Sequence, residues 1–308
     1  MRLLRFIPLY ELIKLIRILK GGRQMALMTI AALQLDLKAN DNLGQVVAKI
    51  KNTVARYPQV HMILLSELAI CGPGASSATP RLNDCLDTLC NLAKSLDIWL
   101  IPGSIYEDKE GKVFNSTPVI NTKGEVVAHY SKMYPFYPFE KGVAERQNIC
   151  VFEVPGYGKL GISICYDMWF PELSRAMISE GAEVILHPTL TDSCDRDVEL
   201  AMVQATAAQQ QCYVVDVNGA GKQAFGKSRI CGPDGDIIYQ SSSHEEVMLV
   251  ELDFERVRRS RERGLMGLGQ PLKSFRDAGH KFPHEGLANR ETYLDSLGAL
   301  ELPIRTSV

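Results

Sequence analysis

Lys159-Leu160-Gly161-Ile162-Ser163-Ile164-Cys165-Tyr166-Asp167 is the stretch from which the fold can be read. A short apolar run of buried-strand type ends on a thiol, and a helix start follows at Pro171. Two other segments repeat that design with different chemistry. Val60-His61-Met62-Ile63-Leu64-Leu65-Ser66 ends on Glu67, and Glu125-Val126-Val127-Ala128-His129-Tyr130-Ser131 ends on Lys132. Side chains at the carboxyl ends of strands point toward the crevice in which α/β folds place their ligands. A carboxylate, an amine and a thiol are therefore expected to share one crevice.

Outward from these three runs, strand and helix signals alternate. Leu27 to Leu37 reads as a strand and Leu43 to Arg56 as an amphipathic helix. A helix over Leu82 to Ser95 and a strand over Ile98 to Tyr106 follow. Asp108-Lys109-Glu110-Gly111, Asn121-Thr122-Lys123-Gly124 and Pro233-Asp234-Gly235-Asp236 are hairpin-like turns between β-branched runs. Further strands are expected at Val184–Leu186, Tyr213–Val217, Ile230 and Ile237–Tyr239, with helices over Pro171–Glu180 and Asp195–Gln210. Hairpins beside strand–helix alternation predict an α/β fold with a mixed sheet layer covered by helices. There is no internal repeat or low-complexity linker, so residues 25–280 read as one body, followed by a tail over 281–308.

Composition narrows the function classes. The chain has 308 residues, 46% hydrophobic and 23% charged, in the range of ordinary globular proteins. Its formal charge is −2, which gives no field to recruit nucleic acid, so no nucleic-acid partner is expected. No apolar run reaches the roughly 18 to 20 residues that span a bilayer. Eight cysteines, irregularly spaced and without a secretory signal, point to a reducing, cytoplasmic setting.

Residues 1–24 differ from the rest. Arg2, Arg5, Lys14, Arg17, Lys20 and Arg23 are set among Leu, Ile, Phe and Tyr, with Glu11 the one acid. Pro8 to Lys20 reads as a helix closed by Gly21-Gly22. Three readings stand: an accessory helix packed on the body or a subunit contact, a basic amphipathic anchor on an anionic membrane surface through residues 1–20, or a stretch upstream of a start at Met25.

Each reactive side chain has an ordinary structural explanation when taken singly. Glu67 suits a loop cap, Lys132 a solvated surface, and Cys165 a small buried hydrophobe. Together they form a reaction centre. A thiol needs a base, and a carboxylate in an apolar pocket has the raised proton affinity for that task. A lysine ammonium stabilises an oxyanion and favours the thiolate. Competing sites are weaker. His280 and His284 have Pro283 between them and no acid or thiol partner, Cys85 and Cys90 stand at the wrong interval for a metal clip, and Gly267-Leu268-Gly269 lacks a phosphate-loop lysine. No metal or cofactor is expected.

Gly161-Ile162-Ser163-Ile164-Cys165-Tyr166-Asp167, with Phe170-Pro171-Glu172 and Arg175, resembles the nucleophile segment of the nitrilase (carbon–nitrogen hydrolase) superfamily. Tyr130-Ser131-Lys132-Met133 resembles its lysine segment and Leu65-Ser66-Glu67-Leu68 its glutamate segment, and the likeness runs from about Thr29 to Arg276. The resemblance implies an α-β-β-α sandwich, a Glu67–Lys132–Cys165 triad and a homo-oligomer, a dimer or higher. Tyr166-Asp167 after the cysteine, Asn218-Gly219-Ala220-Gly221, and an acid eight residues beyond the lysine, Glu140, are similar to the aliphatic amidase and formamidase branch. That likeness implies a small-molecule amide substrate positioned by Glu140, with Tyr134, Tyr137, Tyr166 and His187 as substrate-binding candidates. Ser66 and Leu68 depart from the branch, which commonly has proline and tyrosine there, and Leu190 to Arg196 does not follow its loop. A nitrilase, an N-carbamoyl or other C–N hydrolase, and a non-catalytic oligomeric scaffold are the alternatives.

Overall fold

The computed structural model describes residues 27–76, 78–280 and 297–301. The basic segment 1–24, Met25, His284 and most of the 281–308 tail lie outside the described residues. Among the described residues no helix is long and apolar enough to cross a membrane.

Two mixed sheets stack face to face between two helical layers. The first holds β1 (Leu27–Gln34), β2 (Met62–Leu65), β3 (Trp99–Ile101), β4 (Ile105–Lys109), β5 (Lys112–Ile120) and β6 (Val126–Ser131). The second holds β7 (Val151–Val154), β8 (Gly158–Ile162), β9 (Val184–Pro188), β10 (Tyr213–Val217), β11 (Arg229–Cys231) and β12 (Ile237–Gln240). The chain then returns to the first sheet as β13 (Glu246–Asp253), which pairs antiparallel with β1 from Leu27↔Asp253 to Gln34↔Glu246. Strands β1, β2 and β3 run parallel, as do β8, β9 and β10, while the hairpin strands at the margins are antiparallel.

The period-two pleat sorts each strand between layers. On β1, Met28, Ile30 and Ala32 face the second sheet and pack with Leu160, Ile162, Leu186 and Val215. Ala31 and Leu33 face the other way, onto α1 (Leu43–Arg56) and α2 (Leu82–Leu96) through Val46, Ile50, Cys85 and Leu89. The second sheet is covered by α3 (Pro171–Ser179) and α4 (Asp195–Gln210) through Met177, Val203 and Ala207. The result is an α-β-β-α sandwich with mixed sheets, as the sequence implied.

Several local features differ from the sequence reading, the unexpected strand β7 among them. The strand expected over Ile98 to Tyr106 is broken at Pro102-Gly103-Ser104 into β3 and β4. The break is steric and polar in origin. Gly103 adopts φ +72°, and a Cβ there would stand 1.8 Å from the Ser66 carbonyl oxygen. β13 and α5 (Phe254–Arg263) were not foreseen. Asp253 caps α5 by accepting from the Glu255 N–H at 2.9 Å, so strand passes to helix without glycine or proline. α6 (Pro271–Ala278) was also unforeseen and carries no buried residue.

Gly103 holds the β3–β4 break against the residue that precedes Glu67. Gly103→Ala should lower unfolding stability by about 2 kcal/mol or more, from the left-handed backbone and the clash together. Urea denaturation of the two proteins checks this.

Candidate active site

The three strand ends meet at one edge of the sandwich. Glu67 follows β2, where its N–H donates to the Thr189 carbonyl at 3.2 Å across the two sheets. Lys132 follows β6, its N–H donating to the Asn115 carbonyl on β5 at 2.8 Å. Cys165 comes from the second sheet. It stands at φ +47°, opening a 3₁₀ turn over Cys165–Trp169 three residues beyond the end of β8. A non-glycine residue held in that sparsely populated conformation takes its side chain off the strand direction.

Lys132 is the centre of the arrangement. Its Nζ donates to Glu67 Oε1 at 2.8 Å and to Glu140 Oε2 at 2.7 Å, and its side chain is 1% exposed. Glu140 reaches it from the 133–140 loop, which is closed by the Phe136 N–H donating to Glu140 Oε2 at 2.6 Å. The Cys165 sulfur lies close enough to Glu67 and Lys132 for both charges to act on it, and the Leu190 backbone N–H faces it. Glu67, Lys132, Glu140 and Cys165 are thus one contiguous cluster.

Burial and neighbours divide the protonation states. Burial raises Glu67, and Lys132 pulls against it without cancelling the rise. Burial also works to raise Glu140, but the Lys132 charge, the Phe136 N–H and the Asn115 amide bring it below its ordinary value. Burial disfavours the Lys132 ammonium, and the two carboxylates overcome that and hold it charged well above the ordinary lysine range. Two carboxylates on one cation therefore take different roles: Glu67 is suited to carry a proton and Glu140 to remain ionised. For Cys165, burial and then Glu67 raise the thiol well above its usual range, against the opposing pull of Lys132 and the Leu190 N–H. Lys132 favours the thiolate, as expected of it, but desolvation and Glu67 outweigh the lysine and the thiol keeps its proton.

Two residues missed in the sequence support this cluster. Asn115 donates its Nδ2 to Glu67 Oε1 at 2.9 Å and to Glu140 Oε1 at 3.0 Å, and its buried Oδ1 has no hydrogen-bond partner among the described residues. Asp167 clasps the lysine and cysteine segments together. Its Oδ2 accepts from Tyr130 Oη at 2.7 Å and from the Ile164 N–H at 2.8 Å, and its Oδ1 from the Tyr134 N–H at 3.0 Å. Asn115 lies mid-strand in a polar run, which gave no signal. Asp167 gave one, in the Tyr166-Asp167 pair after the thiol.

The substrate-binding candidates separate. Tyr134 stacks on Phe170 at 3.6 Å between ring centroids, and Tyr166 packs against Phe136 at 4.9 Å and Phe170 at 5.4 Å. One aromatic row therefore joins the loop after Lys132 to the turn that carries Cys165, ending at Phe139, which is 62% exposed. Tyr134 also lines a cavity of about 440 Å³ with Met133, Glu145 and Gln147. The Tyr137 hydroxyl donates back to the Val143 carbonyl, within its own loop. His187, on β9, is buried beneath the site: Nδ1 bonds Ser163 Oγ at 2.9 Å and Nε2 faces Asp216 at 3.9 Å. Burial lowers its pKa to about 3, so the ring is neutral. Among the described residues no cluster of three His, Cys, Asp or Glu side chains is disposed to hold a metal.

Comparison with known proteins gives a consistent family. The carbon-nitrogen hydrolase family model matches residues 29–262. N-carbamoylputrescine amidase of Solanum tuberosum is 29% identical over 273 residues, covering 76% of this chain and 89% of that protein. Deaminated glutathione amidase of Rattus norvegicus is 28% identical over 207 residues, and the aligned part spans 59% of this chain and 62% of that protein. Saccharomyces cerevisiae Nit3, of the nitrilase superfamily, superposes with a TM-score of 0.70 at 23% identity, over 77% of this chain and 94% of that one, a likeness of fold.

Asp167 yields a pH test. Burial raises its carboxyl from 3.8 to about 6. A raised acid contributes stability that is full below the unfolded value and is lost as pH rises through the folded one. The stability of the parent relative to Asp167→Asn should therefore fall by roughly 2 to 3 kcal/mol between pH 4 and 6 and stay level above. Denaturation of both proteins across that range checks the slope.

Proposed function

The chain belongs to the carbon-nitrogen hydrolase family, and from that premise we propose that it hydrolyses a small carboxamide to a carboxylic acid and ammonia through a thioester on Cys165. The observation that carries the reading is the buried Lys132 ammonium bound at 2.8 and 2.7 Å to Glu67 and Glu140, with the Cys165 thiol against Glu67.

Glu67 accepts the thiol proton as the sulfur attacks the amide carbon. The carbonyl oxygen gains negative charge, which the Lys132 ammonium and the Tyr166 backbone N–H stabilise. Collapse of the tetrahedral species breaks the C–N bond while Glu67 returns the proton to the leaving nitrogen, releasing ammonia and leaving the thioester. Water then enters, Glu67 takes one of its protons, and the hydroxide attacks the thioester carbonyl. The C–S bond breaks, the thiol regains its proton and the acid leaves. A neutral resting thiol suits this sequence, because proton transfer accompanies attack and no thiolate stands exposed to other electrophiles. Glu140, kept ionised, has an acceptor available for the substrate N–H₂ and orients the amide beside the sulfur, in the manner of the aliphatic amidase and formamidase branch. Two curated relatives named as amidases support amide hydrolysis over nitrile hydrolysis. The name of the Solanum tuberosum relative favours one further substrate class, an N-carbamoyl amine.

A panel of amides, N-carbamoyl amines and nitriles scored for ammonia tests the reading. Cys165→Ala should abolish release. Lys132→Ala should lower turnover roughly 100- to 1000-fold, as loss of an oxyanion donor does. Glu140→Gln should cripple amide turnover while sparing alkylation of Cys165 by iodoacetamide. Parental ammonia release from the Cys165→Ala protein would sink the mechanism.

A further inference from the structure

Behind the nucleophile lies a second buried ionic cluster that the chemistry above does not use. Arg196, on the first turn of α4, is 1% exposed, yet each of its nitrogens has a partner. Nη1 donates to Glu199 Oε2 at 3.1 Å and Nη2 to Asp216 Oδ2 on β10. Nε donates to the Gly226 carbonyl at 3.2 Å and Nη2 also to the Lys227 carbonyl at 3.0 Å. An arginine buried with two carboxylates contributes little net stability compared with apolar packing of the same volume, because desolvation of three charges offsets their attraction. Its value is geometric, since a planar fork with five donors fixes the position of everything it touches.

What it touches leads to Cys165 by two routes. Along the first, Glu199 accepts from Thr191 Oγ1 at 2.8 Å to Oε2 and 3.0 Å to Oε1. The Thr191 N–H and carbonyl are held by Asn218, whose Nδ2 also donates to the Gly226 carbonyl that Arg196 binds. The 189–191 loop so fixed receives the Glu67 N–H on the Thr189 carbonyl and turns the Leu190 N–H toward the Cys165 sulfur. The second is a packing contact only: Asp216 Oδ1 lies 3.9 Å from Nε2 of the neutral His187 ring, whose Nδ1 bonds Ser163, two residues before Cys165. The base and the nucleophile thus come from different sheets and are set against one another by a loop that Arg196 anchors.

We propose that Arg196 is a positioning residue for the nucleophile, acting through Glu199 and Thr191 on the 189–191 loop and through Asp216 and His187 on the cysteine segment. The proposal rests on the reading of Cys165 as the nucleophile. It also gives a role to the Leu190–Arg196 stretch, where the sequence departs from the amidase branch it otherwise resembles.

The test uses the full chain and two near-isosteric variants, Thr191→Val and Glu199→Gln, with Arg196→Lys and Arg196→Met as a charge-keeping and charge-removing pair. Thermal melting establishes that each is folded. The deciding readout is the rate of Cys165 alkylation by iodoacetamide against pH, followed on the peptide that contains it, with kcat and KM for ammonia release measured beside it. Cys165 is faced by Glu67 and Lys132 from the first sheet and by Glu199 from α4, and Glu199 is in turn faced by Arg196 and His187. Removing the Glu199 carboxylate should therefore move the alkylation profile to lower pH, by up to about one unit. Thr191→Val should slow alkylation and lower kcat roughly tenfold or more, with KM within about threefold of the parent. Arg196→Lys should retain more of both rates than Arg196→Met. Folded Thr191→Val and Glu199→Gln proteins with the parental alkylation profile would overturn the proposal, since a merely structural cluster would move the melting temperature alone. A parent protein that releases no ammonia from any substrate would instead sink the amide-hydrolysis reading, and the alkylation profile would still decide the positioning role.

Discussion

One ammonium between two carboxylates organises this protein. Taking Lys132, Glu67 and Glu140 out of water carries a desolvation penalty of several kcal/mol per ion, which only close geometry and further hydrogen bonds offset. The first sheet supplies that geometry: Glu67 leaves β2, Asn115 sits on β5, Lys132 leaves β6, and the loop beyond β6 turns back to bring Glu140 to the same nitrogen. Removing any one of the three charges leaves the others buried without balance. The ion cluster and the sheet that presents it are therefore one structural unit, and the second sheet contributes the sulfur to it.

The sulfur shows how a buried environment reorders expectations drawn from residue types. A lysine beside a cysteine suggests a thiolate, as it would at a wet, electropositive helix end. Here the lysine charge is already matched by carboxylates, and Lys132 and Glu67 are buried. Desolvation dominates, and the carboxylate nearest the sulfur opposes ionisation as well. The carboxylate that raises the thiol is also the one whose own proton affinity burial raises.

Much of this was legible in the sequence, and the omissions have physical reasons. Three apolar runs ending on Glu67, Lys132 and Cys165 announced both the strands and the crevice, because strand ends in a layered α/β fold share one side. The helices over 43–56 and 195–210 were legible from periodicity and appear with those bounds. Arg196 was not, since an arginine in the first turn of a polar-fronted helix reads as surface, and only the acids of α4 and β10 make it an interior residue. Asn115 was hidden for a similar reason: in Asn115-Ser116-Thr117 the polar residues of a strand look solvated, whereas all three are fully buried. The helix over Phe254–Arg263 was masked by five arginines, which leave Phe254, Val257 and Ser260 as its only buried residues. The break at Gly103 depends on the approach of a distant segment, which local sequence cannot contain.

The pairing of β1 with β13 has a consequence for biogenesis. Leu27 meets Asp253, so β1, which precedes every other described strand in the chain, lacks one hydrogen-bonding neighbour until more than two hundred further residues have been made. At synthesis rates of about 5 to 20 residues per second that interval is roughly 10 to 45 s. Throughout it the Leu27–Gln34 strand presents an open apolar edge to any strand it meets, the configuration most prone to mispairing between nascent chains. Translation speed and chaperone capture over that window therefore bear on how much of the polypeptide matures, alongside the equilibrium strength of the finished sandwich.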